Sequence, residues 1–357
     1  MKKILYVILV LLLLSSLTNC SDDARPCGDG VCDDLEESKG ICPEDCSSAN
    51  FFSYDYVNYD YKDVQIEIKW TDAVDFTEKS SYETDVDGVI VLQTDYVVVN
   101  PTSNAKLDVS VYMPSDDSID YPAVILVPGG IGGKNGFLKK YTPTTSYNIP
   151  EKFASEGFVV LIFSADGRGD STGEEDYNGY VQQDGLYELY RFLENHDNVE
   201  EDNIGVVSYS YGITMATGML ARYQPDAKFY IEWEGPVNRW YTTVGCTGGP
   251  SPNSDAPGSI SCEDEEHWLE REAMRFVPYL PVDYFVIVQT EEDHVQSNVQ
   301  HSVDINNFAL DYLDWVRVNE GEVNQEYTLN TLPVLKGIDG KLFQDHILEY
   351  MKEITGS

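Results

Sequence analysis

The chain has 357 residues, 42% hydrophobic and 12% aromatic, enough to bury a substantial core and too many for a disordered chain. Acidic residues outnumber basic ones by 62 to 23, a net charge of −39. So acidic a surface repels phosphate backbones and anionic bilayers, which excludes nucleic acid and leaves membrane attachment only through an N-terminal lipid or anchor.

Lys2 and Lys3 precede an apolar run from Ile4 to Leu14. That run is shorter than the roughly 20 residues a membrane span needs. With Ser15, Ser16, Leu17 and Thr18 after it, residues 1–19 read as an export signal. Cys20 follows in Leu17-Thr18-Asn19-Cys20. This resembles a lipoprotein signal, in which that cysteine is lipidated; Asn19 departs from the small residue such signals prefer. The expectation is therefore an exported protein, lipid-anchored at the cell surface or secreted.

Export implies an oxidising compartment, where cysteines pair. Apart from Cys20 there are six: Cys27, Cys32, Cys42, Cys46, Cys246 and Cys262. The first four lie close enough to pair among themselves, and the last two would close a later loop; the connectivity is open. Residues 27–46, within a module and linker over 20–50, resemble a small cysteine-rich module of extracellular proteins. Its Asp29, Asp33, Asp34, Glu36, Glu37 and Asp45 offer oxygen ligands for calcium or simply a solvated turn. Oxidised cysteines argue against zinc.

Further along, Phe52–Trp70 is rich in Tyr and Val and alternates, which predicts a strand. Asp72–Asp85 is polar and reads as loop. Residues 86–100 and 106–114 read as two more strands, so 51–115 forms an N-terminal β region whose later strands join the main sheet. From residue 116 the rhythm changes. Buried strands are expected at 122–130, 157–166, 203–210, 227–235 and 282–289. Helices are expected at Pro150–Glu156, Val181–Glu194, Tyr211–Tyr223, Val303–Val318 and from Gln344. A last strand is expected over 327–335. Strands alternating with helices predict a mostly parallel sheet covered on both faces. Residues 236–282, rich in Gly, Pro and Ser and then helical, interrupt the pattern and form a candidate lid.

Ser208-Tyr209-Ser210-Tyr211-Gly212 lies between a buried strand and a helix. A serine in that place is a nucleophile elbow, whose tight turn demands small residues two before and two after. Gly212 meets this demand, and Ser208 stands where glycine is usual. On these residues, residues 86–357 resemble the α/β-hydrolase superfamily, in its dienelactone-hydrolase, prolyl-oligopeptidase and Xaa-Pro dipeptidyl-peptidase-like branch. Asp166-Gly167-Arg168-Gly169-Asp170-Ser171-Thr172-Gly173 resembles a loop of that branch, read here as structural, with Arg168 and Asp170 pinning it.

The resemblance implies a Ser-His-acid triad in the order nucleophile, acid, histidine. Five histidines are available: His196, His267, His294, His301 and His346. Only His346 lies beyond the final strand, where that order places the base, with His301 as backup. The acid is expected just past strand 282–289, at Asp293, with Glu292 as the alternative. Oxyanion donors are expected from the Tyr211 amide and from Gly129, Gly130 or Ile131. Trp233, Trp240 and Trp268 either line a cleft or pack.

The implied activity is serine hydrolysis of a small ester or short peptide through an acyl-enzyme, with no metal and no organic cofactor. A non-catalytic binding or adhesion protein on the same scaffold is the competing reading.

Overall fold

The computed structural model describes residues 73–239, 241, 260–261, 264–296, 298–337 and 341–357. These belong to one compact unit, Asp55–Ser357, distinct from Met1–Tyr54. The signal-like segment, the cysteine-rich module, the expected strand at Phe52–Trp70, all seven cysteines and Trp240 lie outside the described residues.

Among the described residues, nine strands form one sheet. They are β1 (Phe76–Val86), β2 (Val89–Val99), β3 (Lys106–Pro114), β4 (Tyr121–Val127), β5 (Val159–Ser164), β6 (Val199–Tyr209), β7 (Ala227–Trp233), β8 (Val282–Val288) and β9 (Val316–Val318). The spatial order is β1-β2-β3-β5-β4-β6-β7-β8-β9. β1, β2 and β3 are antiparallel, β3 meets β5 antiparallel, and every later pairing is parallel. This is the α/β-hydrolase fold.

β4 and β5 are apolar up to Ser164 at the end of β5, and both are buried at every residue. That is what a central parallel strand covered on both faces requires. One face carries α1 (Ile149–Ser155) and α7 (Phe343–Thr355). There Phe153, Phe158, Ile347 and Met351 pack with Val124, Leu126, Val207 and Ile231. α1 starts with a capping box between Asn148 and Glu151, which satisfies two amides that the helix itself cannot. α2 (Tyr180–Glu194) and α3 (Gly212–Tyr223) pack on each other, and α6 (Gln300–Ala309) lies beside β9. The short helices α4 (Glu265–Leu269) and α5 (Ala273–Phe276) belong to the described part of the insertion. That part packs down on α3, with Phe276 against Ala221 and Thr214 donating to the Arg271 carbonyl.

Three expected elements differ. Residues 76–85, expected as loop, form β1 together with Val86; among the described residues it is an edge strand paired only with β2, and it is mostly exposed, so no apolar alternation marks it. The helix expected over Val303–Val318 stops at Ala309, and Val316–Val318 is the last strand. Residues 327–335 form no strand; Leu335 makes a single bridge to Thr290. Among the described residues, no helix is long and apolar enough to cross a membrane.

Candidate active site

In a parallel sheet, ligands bind beyond the carboxyl ends of the strands, where neighbouring crossovers diverge. Ser210 occupies such a place, between β6 and α3. Its φ of +51° is in the left-handed region, a strained conformation for a residue with a side chain. Close packing holds it there. A Cβ on Gly129 would stand 2.7 Å from the Tyr209 carbonyl and 3.0 Å from the Ser210 Cβ; one on Gly212 would stand 2.7 Å from the Pro128 carbonyl. Ser208 is accommodated in place of glycine because its hydroxyl makes a 2.7 Å bond with the Tyr230 hydroxyl in the core. The Ser210 amide donates to the Trp233 carbonyl at 2.8 Å.

The partner of the Ser210 hydroxyl is His294, whose Nε2 lies 2.9 Å from Oγ. His294 Nδ1 lies 2.8 Å from Glu234 Oε2. The ring is therefore oriented with Nδ1–H donating to the carboxylate and Nε2 free to take the serine proton. Its side chain is 30% exposed, so solvent and substrate reach it. The ring also lies on Trp233, with centroids 4.5 Å apart and planes 22° apart.

Glu234 follows β7 directly and has φ +47°. It is 1% exposed, and a buried carboxylate must be hydrogen-bonded. Oε1 accepts from the Thr290 amide at 2.9 Å, from the Thr290 hydroxyl and from Gln289 Nε2; Oε2 accepts from the His294 amide at 3.1 Å as well as from the ring. Neighbouring Glu232 is also buried, with one oxygen accepting from the Gly235 amide and the other unpartnered. Burial, with the charges of Glu234 and Asp293, pushes its carboxyl up to about 8.

His346, the expected base, is elsewhere. It lies in the body of α7, where Nδ1 meets Glu320 at 3.3 Å. The loop after β9 that would carry a base in the expected order, residues 319–342, contains no histidine. Asp293, the expected acid, is close by but differently engaged. Its Oδ1 is 3.7 Å from His294 Nδ1, beyond a hydrogen bond, while Oδ2 meets His301 Nε2 at 2.9 Å. Burial alone would raise its pKa, but His301 and the amides of Val295 and Gln296 bring it down to about 2. Glu292 is exposed. His301, the backup base, is fully buried on α6. Along the chain the bonded residues run serine, carboxylate, histidine, with the carboxylate, Glu234, just after β7 and His294 just after β8, each one strand earlier than the expected acid and base.

The oxyanion candidates stand around the serine. Tyr211 begins the turn into α3, and Gly130 has φ +56° in a turn closed by Gly132 donating to Gly129. Among the described residues, no acceptor meets the amides of Tyr211, Gly130 or Ile131. Asn178 donates to the Tyr211 carbonyl at 2.7 Å and accepts from Arg168. Arg168 is buried and bonded to Glu175, so the glycine-rich loop at 166–173 buttresses the elbow. Asp170, expected to help pin it, is exposed; the buried acid there is Asp166, bonded to Asn100 and Ser103. Trp268 packs, fully buried, with its indole N–H on the Ser261 carbonyl.

Among the described residues, two groups of donors are close enough to hold an ion, Glu234/Asp293/His294 and Glu320/His346/Glu349. In the first, His294 Nδ1 is already satisfied by Glu234; in the second, Lys341 occupies Glu349.

Residues 103–269 match the model of the X-Pro dipeptidyl-peptidase (S15) family, and residues 11–70 match the RET cysteine-rich domain. A curated relative, the uncharacterised peptidase YtmA of Bacillus subtilis strain 168, is 34% identical over 143 residues, 38% of this chain. The match spans 54% of that protein, so the chain covers about half of its length. Among solved structures, an S-formylglutathione hydrolase from Agrobacterium tumefaciens aligns with TM-score 0.52 at 13% identity, covering 77% of this chain and 98% of that one. An acetyl xylan esterase from Paenibacillus sp. R4 aligns with TM-score 0.51 at 13% identity, covering 80% and 89%. Both likenesses show the α/β-hydrolase fold. On that fold, a serine at the elbow, an imidazole on its hydroxyl and a buried carboxylate behind the imidazole are the arrangement of a serine hydrolase.

Proposed function

We propose that this chain is a serine hydrolase that cleaves carboxylic esters or short peptide bonds through an acyl-enzyme, with Ser210 as nucleophile, His294 as base and Glu234 as acid. The observation that carries it is the unbroken chain Ser210 Oγ–His294 Nε2 at 2.9 Å and His294 Nδ1–Glu234 Oε2 at 2.8 Å. A serine hydroxyl is a weak nucleophile until a base takes its proton.

Ser210 Oγ attacks the substrate carbonyl while its proton passes to His294 Nε2. Glu234 holds the imidazole in the required tautomer and stabilises the imidazolium. The carbonyl electrons move onto oxygen, which accepts from the Tyr211 amide and from an amide of the loop at 129–131. Each such donor contributes about 3 kcal/mol. The leaving alcohol or amine takes the proton from Nε2, and water then enters by the same path in reverse.

The match to a dipeptidyl-peptidase family model and to a relative named a peptidase supports short peptides, and the fold equally carries esterases. The signal-like residues 1–19 and the cysteine-rich segment support an exported protein. The test is a panel of p-nitrophenyl esters beside Xaa-Pro and Xaa-Ala dipeptide anilides, with Ser210→Ala as control. Turnover abolished by Ser210→Ala supports the reading. A wild type that turns over none of them, and that a fluorophosphonate leaves unlabelled at neutral pH, overturns it.

A further inference from the structure

Behind the site lies a second histidine–carboxylate pair to which the mechanism above assigns no step. His301 is fully buried, yet it touches both loops that carry the base and the acid. Its Nδ1 lies 2.9 Å from the carbonyl of Gly235, the residue after Glu234. Its Nε2 lies 2.9 Å from Oδ2 of Asp293, the residue before His294. Asp293 in turn accepts from the amides of Val295 at 2.8 Å and Gln296 at 2.6 Å, and so fixes the turn just past His294. Ser302, next along α6, donates to Gln289 Oε1, and Gln289 Nε2 reaches both Glu234 and Asp293. The first turn of α6 thus grips the acid loop and the base loop together.

A carbonyl oxygen only accepts, and so does a carboxylate. Both bonds of His301 are therefore made only when both of its nitrogens carry hydrogen and the ring is cationic. The charge on Asp293, 3.7 Å from His294 Nδ1, is then matched from behind, and His294 answers to Glu234 alone.

We propose that His301 is a positioning residue: as a buried imidazolium it clasps Gly235 to Asp293, sets the spacing of Glu234 and His294, and neutralises the second carboxylate beside the base. The proposal deepens the hydrolase reading and rests on it for its consequence in turnover. Other groups face this cluster. Tyr241 contacts the His301 ring edge-on and bonds Asp304, at which the charge of His301 is felt. The charges of Glu234 and Asp293 are felt at buried Glu232. Ser210 and Trp233 complete the surroundings of His294.

The experiment is an NMR titration of the intact protein, with His294 assigned by its loss in His294→Asn. It reads the imidazole directly and needs no turnover. In wild type near neutral pH, both His301 ring nitrogens are expected to show bound protons. In His301→Gln, the Asp293 charge is uncovered, and the His294 midpoint is expected to rise by about one pH unit, since an opposite charge within ~4–6 Å favours the charged form. In Asp293→Asn/His301→Gln it is expected to return toward wild type. Asp293→Asn alone, which keeps the side-chain shape should His301→Gln fail to fold, is expected to lower it. The acidic limb of kcat/KM should move with the midpoint, and kcat should fall on the order of 10²-fold at little change in KM, the cost of a small misplacement.

A neutral, singly protonated His301, or a His294 midpoint unmoved in the folded variants, overturns the proposal. A midpoint that moves as described in a protein that hydrolyses nothing upholds the clasp and overturns the hydrolase reading instead.

Discussion

His294 rests on Trp233, ring on ring at 4.5 Å, while the Trp233 carbonyl accepts the amide of Ser210 at 2.8 Å. One residue at the end of β7 therefore steadies both partners of the proposed proton transfer. Phe343 stacks on Trp233 in turn, at 4.1 Å and 4°. Replacing Trp233 by Ala keeps the carbonyl and removes the platform. It is expected to lower kcat about tenfold or more through loss of orientation, and Trp233→Phe to restore much of it. Steady-state kinetics on one ester checks both.

Two carboxylates flank His294, but only Glu234 bonds it. Glu234→Gln is expected to lower kcat by about 10⁴ with little effect on KM, as when an acid can no longer set the tautomer. Asp293→Asn leaves Glu234 in place and should cost far less. Equal losses would contradict Glu234 as the sole acid, and a larger loss in Asp293→Asn would make Asp293 the acting acid.

Glu232 makes stability depend on pH. Its native carboxyl is raised to about 8, whereas the unfolded chain releases that proton near pH 4.3, the ordinary value for glutamate. Between these values the native state binds more protons than the unfolded one, so this group's contribution to stability falls as pH rises. One proton corresponds to about 1.4 kcal/mol per pH unit. Glu232→Gln should flatten that slope in urea unfolding measured across pH 5 to 8, and an unchanged slope would contradict the assignment.

Gly129 leaves no room for a methyl group against the Tyr209 carbonyl. Gly129→Ala is expected to push the loop at 129–131 away from Ser210 and to lower kcat by 10²-fold or more, the cost of one lost oxyanion donor. KM should stay near its wild-type value.

The elbow was legible because its demands are local: a buried strand, a serine, a glycine two residues on and a helix. The sheet was legible because β4 and β5 are almost wholly apolar and β6, β7 and β8 each carry a short buried apolar stretch, Ile204–Val207, Phe229–Ile231 and Phe285–Val288. β1 was not, because an exposed edge strand needs no apolar face. Nor was β9, three residues long and buried in what reads as helix. Glu234 was hidden among 62 acids; the one local sign is an acid followed by glycine at the end of a buried strand. Nothing in the sequence singles out His294, because the expected order assigns its loop to the acid. The family-like Asp293 is in that loop as expected, but its carboxylate turns inward to His301, and no spacing rule reveals which way a side chain turns.

His294, and not His346, is the base proposed to activate Ser210. Fluorophosphonate labelling of His294→Ala and His346→Ala beside wild type tests it directly. His346→Ala should label at the wild-type rate, and His294→Ala should label on the order of 10³-fold more slowly or not at all. Loss of labelling in His346→Ala with labelling kept in His294→Ala would contradict it.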